Sequence, residues 1–253
     1  MKRILLLTPV LLFSQIAFSQ FEITAGYSMA IPRGKMNEYI NLAHSLTVQG
    51  NYRMPFAKQL WAGAQLGYGV YATKAERQTY SFSNGSVTET NVNFSSNIFN
   101  GHAVIGYDFI KTGKIVPYIT AKAGISNFFT RVYIEDPHDP DGCRPLENKN
   151  LFGDVTFSGG AGIGARLDGE KMFKSRRNNW AIDISVNYLT GGTLDYLNVR
   201  HLHNDVPTTD VKKEFLVKFV NVSTNEIHEH RVAEVYTSKL KQLDIRVGFT
   251  FLL

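Results

Sequence analysis

One cysteine, Cys143, is the entire thiol complement of the 253 residues, so no disulfide can form within the chain. A lone thiol in an exported loop reads as an incidental residue. Long apolar runs are missing as well. After the first nineteen residues no segment reaches the roughly 18 consecutive apolar residues that a membrane helix needs. Charge of one sign does not dominate either. The 27 Lys and Arg stand against 22 Asp and Glu, and two of the basic residues lie at the extreme N-terminus. So mild an excess does not suggest nucleic acid as a partner. The glycine run Gly159, Gly160, Gly162, Gly164 has no predicted helix after it, so it is not a phosphate-cradling loop.

What is present begins with an address. Lys2 and Arg3 precede a mostly apolar stretch, Ile4 to Phe18, with the small residues Ala17 and Ser19 before an expected cut ahead of Gln20. Residues 1–19 therefore read as a secretory signal peptide and 20–253 as one domain. With no Cys near the cut, the segment does not read as a lipoprotein leader. Export also argues against nucleic acid.

The domain is rich in aromatics, with 12 Tyr and 17 Phe in the whole chain, and is full of period-two alternation. The end shows it best. Leu243, Ile245, Val247, Phe249, Phe251 and Leu253 alternate with Asp244, Arg246, Gly248, Thr250 and Leu252. Seven further segments alternate upstream, at about 21–31, 45–56, 60–71, 98–109, 116–131, 154–167 and 179–194. The predicted fold is all-β, an eight-stranded antiparallel transmembrane barrel, which closes on itself and leaves no unpaired edge in lipid. The connections support this. Ala57–Gln59, Lys111–Ile115 and Asp168–Asn178 are the shorter ones, as for periplasmic turns. Pro32–His44, Ser83–Phe94, Asp136–Gly153 and Val199–Ser238 are longer, as for extracellular loops. A soluble sandwich or lipocalin-like barrel also alternates, but it would have to pack all these aromatics inside a small core.

With the apolar faces toward lipid, the opposite faces fill the lumen. They collect Glu22, Asp108, Asp183 and Asp244 against Arg53, Lys122, Arg166 and Arg246. An eight-stranded interior is just wide enough for side chains to fill. Four acids facing four bases are expected to pair into a salt-bridged plug, because an unpaired buried charge is costly. The glycines leave room for the long luminal side chains.

Chemistry-bearing motifs are sparse. His102 is the one His inside a predicted strand, facing the lumen, and no Ser–His pairing stands out near a strand rim. His201 with His203, and His228 with His230, form two H-x-H pairs in the last outer loop that could hold a divalent metal through imidazole. An exposed His-rich loop is the plainer reading. Asp136, Asp139 and Asp141 offer hard oxygens without the EF-hand spacing. No cofactor is implied. Two apolar-rich stretches, Glu214–Val222 and Ile227–Tyr236, flank a turn at 223–226. The last two strands are expected to continue outside the membrane as a hairpin carrying Phe215, Val217, Phe219 and Val235. Such a hairpin must be covered by other loops or by a partner.

The Arg246-Val-Gly-Phe-Thr-Phe stretch and the segment Pro117-Tyr-Ile-Thr-Ala-Lys-Ala-Gly give the chain its resemblance to the small outer-membrane β-barrel family of Gram-negative bacteria, of Bacteroidota type, over about residues 21–253. That family usually ends on an aromatic, whereas this chain ends on Leu253 with Phe249 and Phe251 in phase. The resemblance implies outer-membrane lipids and the barrel assembly machinery as partners. It is specific for location and fold and not for activity; the chain itself reads as a non-enzymatic structural or surface-interaction protein acting through its outer loops. A subunit of an envelope secretion or uptake complex, with an envelope protein as partner, and a narrow channel are the alternatives.

Overall fold

The computed structural model describes residues 20–81, 87–136, 145, 147–173, 179–201, 214–220 and 227–252, with backbone only at 78–81, 87–88, 90, 147, 173, 201, 214–220 and 227–234. The alternating segments become β1 (Phe21–Pro32), β2 (Ala43–Met54), β3 (Ala57–Ser81), β4 (Val87–Asp108), β5 (Ile115–Ile134), β6 (Glu147–Asp168), β7 (Trp180–Leu197) and β9 (Ile227–Leu252). Each pairs antiparallel with the next. The ring closes where β1 meets β9, from Glu22↔Leu252 to Pro32↔Gln242. The helices are one-turn pieces, α1 (Met36–Tyr39) after β1 and α2 (Gly169–Phe173) after β6, with a 3-10 turn at Val199–His201.

A ninth strand, β8 (Glu214–Val220), was not expected as a separate element. The expected outer hairpin exists, but β8 builds it by pairing with the first residues of β9, and it is not a continuation of β7. The strands also outrun their predicted ends. β3 has 25 residues, β4 and β6 22 each, and β9 26, so much of the segments 83–94, 136–153 and 199–238 read as loop is ladder. A strand needs only about 9–11 residues to cross a bilayer. Beyond that length no lipid selects an apolar outer face. The sequence there, such as Thr73-Lys74-Ala75-Glu76, loses its two-faced pattern while the backbone pairing continues.

The side chains are sorted as a lipid-facing barrel requires. Leu46 is 72% exposed and Phe157 and Ile163 67%, whereas Glu22 is 1% and Arg246 3% exposed. A soluble barrel would show the reverse. Bulges then shift the phase. The irregularity between Val70 and Ala72 buries both Tyr71 and Ala72, and the one between Thr190 and Thr193 turns Leu194 and Tyr196 inward.

The interior has two storeys. At the end holding the short turns it is polar and charged. At the end holding the long hairpins it is an apolar core containing Tyr71, Phe94, Phe128, Leu194, Tyr196 and Leu240, sealed by Met36 and Ile40 of the first connection and by Val199 of the 3-10 turn. The upper storey adds an apolar plug to the expected salt-bridged one. Val235 belongs to this core at 8% exposure, so it is not an offered hairpin residue. The side chains of Phe215, Val217 and Phe219 lie outside the described residues.

Candidate functional site: the luminal charge network

At the turn end four strands contribute a closed quartet. Arg53 on β2 reaches Glu22 on β1 through Nε and Asp108 on β4 through Nη1 at 2.8 Å. Arg166 on β6 reaches the same two acids, Glu22 through Nη1 at 3.0 Å and Asp108 through Nη2. Each base bridges both acids, and each acid bridges both bases. Charge alternates around the ring and every partner is held by a second one.

Two aromatics wall the quartet. Trp61 donates its Nε1–H to Asp108 Oδ1 at 3.0 Å. The Arg166 guanidinium lies 5.5 Å from the Trp61 ring and 5.2 Å from the Tyr118 ring, within cation–π reach of both. The rings meet edge-on at 5.8 Å. Glycine makes space for them. A Cβ on Gly106 would stand 2.1 Å from Trp61, and one on Gly164 2.3 Å from the Tyr118 ring. The glycine run thus clears room for luminal aromatics as well as for long cations.

Deeper in, Tyr118 donates its hydroxyl to Asp183 Oδ2 at 2.8 Å, and Arg246 Nη2 meets Asp183 Oδ1 at 2.8 Å. Arg246 also donates to Gln49 Oε1. Six of the eight expected luminal charges are therefore directly paired with opposite charge. Lys122 and Asp244 are not. Lys122 Nζ donates to Gln65 Oε1 at 2.7 Å, and Asp244 accepts from the Ser28 hydroxyl. Both line a cavity of about 20 Å³ shared with His102, room for one water.

His102 has a serine partner, away from the strand rims to which the sequence reading was confined. Its Nε2 is 2.8 Å from Ser158 Oγ, which is 2.9 Å from Ser126 Oγ. The pair sits mid-lumen, with His102 5% and Ser158 0% exposed. The charged storey opens at the turn end into a cup of about 220 Å³ that includes Arg53, Lys111, Asp168 and Lys171. Asp168 caps α2, accepting from the amides of Glu170 and Lys171 at 3.1 Å each, with Lys171 Nζ 3.0 Å from its Oδ2. Slight burial pushes this carboxyl up, but the bonds from Lys171 and Glu170 outweigh it and hold it below its ordinary value.

Among the described residues no group of three or more His, Cys, Asp or Glu could hold a metal ion. The side chains of His201, His203, His228 and His230, and residues Asp139, Asp141 and Cys143, lie outside the described ones. Trp61, Tyr118, Gln49 and Gln65 face the lumen too, beside the eight charges expected there. Trp61 and Tyr118 each fall in phase with known luminal positions, which is the signal that would have found them.

The fold is an eight-stranded antiparallel barrel of the transmembrane kind with a filled lumen. Three solved structures are similar over most of the chain. Neisserial surface protein A shares 11% identity at a TM-score of 0.44, over 93% of this chain and 98% of that one. Ail, the attachment invasion locus protein of Yersinia pestis, shares 10% at 0.36, over 91% and 97%. The outer membrane protease OmpT of Escherichia coli shares 6% at 0.37, over 92% and 95%. No protein-family model and no curated relative matches the chain.

Proposed function

We propose that the chain is an exported outer-membrane protein, released from its signal peptide at 1–19, whose turn end faces the periplasm and whose hairpin end faces outward. Its role is structural or surface-interacting, without catalysis, and is exerted by the outer projection. The observation that carries this reading is the two-storey filling of the barrel. Paired charges close the lower half, and an apolar core built from strand extensions and the first connection closes the upper half. A barrel filled this way offers solutes no continuous aqueous path. Its β3–β4 and β5–β6 hairpins instead carry a packed surface past the membrane. Outer-membrane lipids surround it, and the barrel assembly machinery inserts it. The β8–β9 hairpin favours an envelope protein as a second partner, because β8 pairs with β9 alone among the described residues.

Planar-bilayer recording tests the central point. The purified chain is expected to give no steady single-channel steps. Regular ohmic conductance would make it a narrow channel and overturn this reading.

A further inference from the structure

The wall made by β7, β9 and β1 presents its outward side chains in level rows. Trp180–Phe251–Ile23, Ile182–Phe249–Ala25, Ile184–Val247–Tyr27, Val186–Ile245–Met29 and Tyr188–Leu243–Ile31 are apolar or aromatic. The next row changes character. Thr190 stands beside Lys241, and the Arg33 amide donates to the Lys241 carbonyl at 2.8 Å, which extends the ladder so that Arg33 and Lys241 are neighbours on the outer face. One row further, Lys239 faces Thr193. Arg33, Lys35, Lys239 and Lys241 are all exposed.

Rows two residues apart are separated by about 6.8 Å along a strand, or about 5 Å along the membrane normal at the usual tilt. The five apolar rows then span about 21 Å and the Lys241 row stands about 26 Å above the lowest, where a band of about 25 Å ends. Tyr188 marks the aromatic girdle directly beneath. The cations therefore sit at the level of lipid headgroups.

The local geometry brings like charges together. Gly34, at φ +64, turns the chain beside Lys241, where an added Cβ would lie 3.9 Å from Lys241 Cδ, and exposed Lys35 follows before Met36 enters the apolar core. Like charges on adjacent strand positions destabilise a sheet. None of the four makes an ion pair among the described residues. Among the described residues the nearby acids are Glu38, exposed on α1, and Asp195, which accepts from Thr237 Oγ1 at 2.5 Å. An anion at headgroup level resolves the repulsion.

We infer that Arg33, Lys35, Lys239 and Lys241 form a binding site for the phosphate groups of the phosphorylated glycolipid of the outer leaflet, with its acyl chains lying on the apolar rows below. This rests on the membrane orientation proposed above. Arg33 supplies a bidentate fork and the lysines supply point charges. The site fixes the barrel's depth and marks the β7–β9–β1 wall as the one that carries bound lipid.

The test uses the full mature chain in non-ionic detergent, with binding of diphosphoryl lipid A measured by native mass spectrometry. Comparison ligands are its dephosphorylated form and phosphatidylglycerol. At about a fivefold loss per charge near a charged surface, Arg33→Gln/Lys239→Gln/Lys241→Gln is expected to bind on the order of 100-fold more weakly. Lys239→Arg/Lys241→Arg, which keeps the charge, retains binding. Lys58→Gln/Lys114→Gln, on the opposite membrane face, is unchanged. Equal binding by the triple variant, or equal binding of the dephosphorylated lipid or of phosphatidylglycerol, overturns the site. Retention of dextran sulfate without lipid A would make it a polysaccharide site and overturn it too. Insertion into lipid vesicles is followed by heat-dependent gel mobility. Failure of the wild-type chain to insert removes the membrane reading and this inference together, whereas insertion without lipid discrimination removes this inference alone.

Discussion

Arg166→Met is the most revealing single change in the lower storey. It removes one of the two bases that Glu22 and Asp108 share and the cation that lies against Trp61 and Tyr118, leaving two acids to one base at the floor of the turn-end cup. The Arg166 side chain is 9% exposed and the two acids 2% each, so water offers little relief. Breaking a buried ion pair from one side costs about 3–5 kcal/mol, mostly through the charge left behind. Glu22→Gln in the same molecule restores balance, since Arg53 and Asp108 still pair at 2.8 Å. The double variant should therefore lose less than the sum of the singles, by about 1–3 kcal/mol. The assay is reversible denaturant unfolding in lipid vesicles, read by Trp61 fluorescence in a Trp180→Phe background. If Arg166→Met changes stability by less than about 0.5 kcal/mol, or if the two effects simply add, the closed-quartet account is refuted.

Three further outcomes follow from separate features. Gly164→Ala should cost about 1–3 kcal/mol by driving a methyl into the Tyr118 ring, whereas Gly50→Ala, with nothing within 4 Å of its added Cβ, should be near neutral in the same unfolding assay. Ile163→Arg, on the outer face of β6, should cost about 2–4 kcal/mol if that face meets lipid near mid-depth, and almost nothing if it meets water. Asp168→Ala should weaken the α2 turn by about 0.5–2 kcal/mol through loss of a helix cap. Because the folded Asp168 carboxyl is held below its ordinary value, its contribution is present above the unfolded value and is lost as pH falls through the folded one. Protection factors at the Glu170 and Lys171 amides, taken relative to the intrinsic base-catalysed exchange rate, should therefore fall only in that acid range, and a fall in protection on raising pH would contradict the assignment.

The strand phases were legible because lipid on one side and charge on the other impose opposite demands on neighbouring residues. Every luminal charge named from alternation alone faces inward, Glu22 and Arg246 among them. Three things were not legible. The bulge at Tyr71 is a backbone event that no residue type announces, and it moves an aromatic from one face to the other. Part of the apolar upper storey, Val92 and Phe94 among it, lay in a segment read as loop. Which charges pair also needed the structure, because pairing depends on strand stagger. Lys122 and Asp244 balance in a count of charges yet take Gln65 and Ser28 as partners.

The quartet also bears on the order of events during folding. Glu22 lies 144 residues before Arg166, and Ser28 lies 216 before Asp244. Arg53 and Glu22, on neighbouring strands, can pair earlier, but neither of these two contacts can exist until β1 has met β9, so both are made only in the finished cylinder. A half-zipped sheet gains nothing from them. Interactions absent from the transition state slow unfolding without speeding folding. The charged interior is thus a latch on the completed ring. Its effect is to be sought in how long a closed barrel stays closed, more than in how fast it forms.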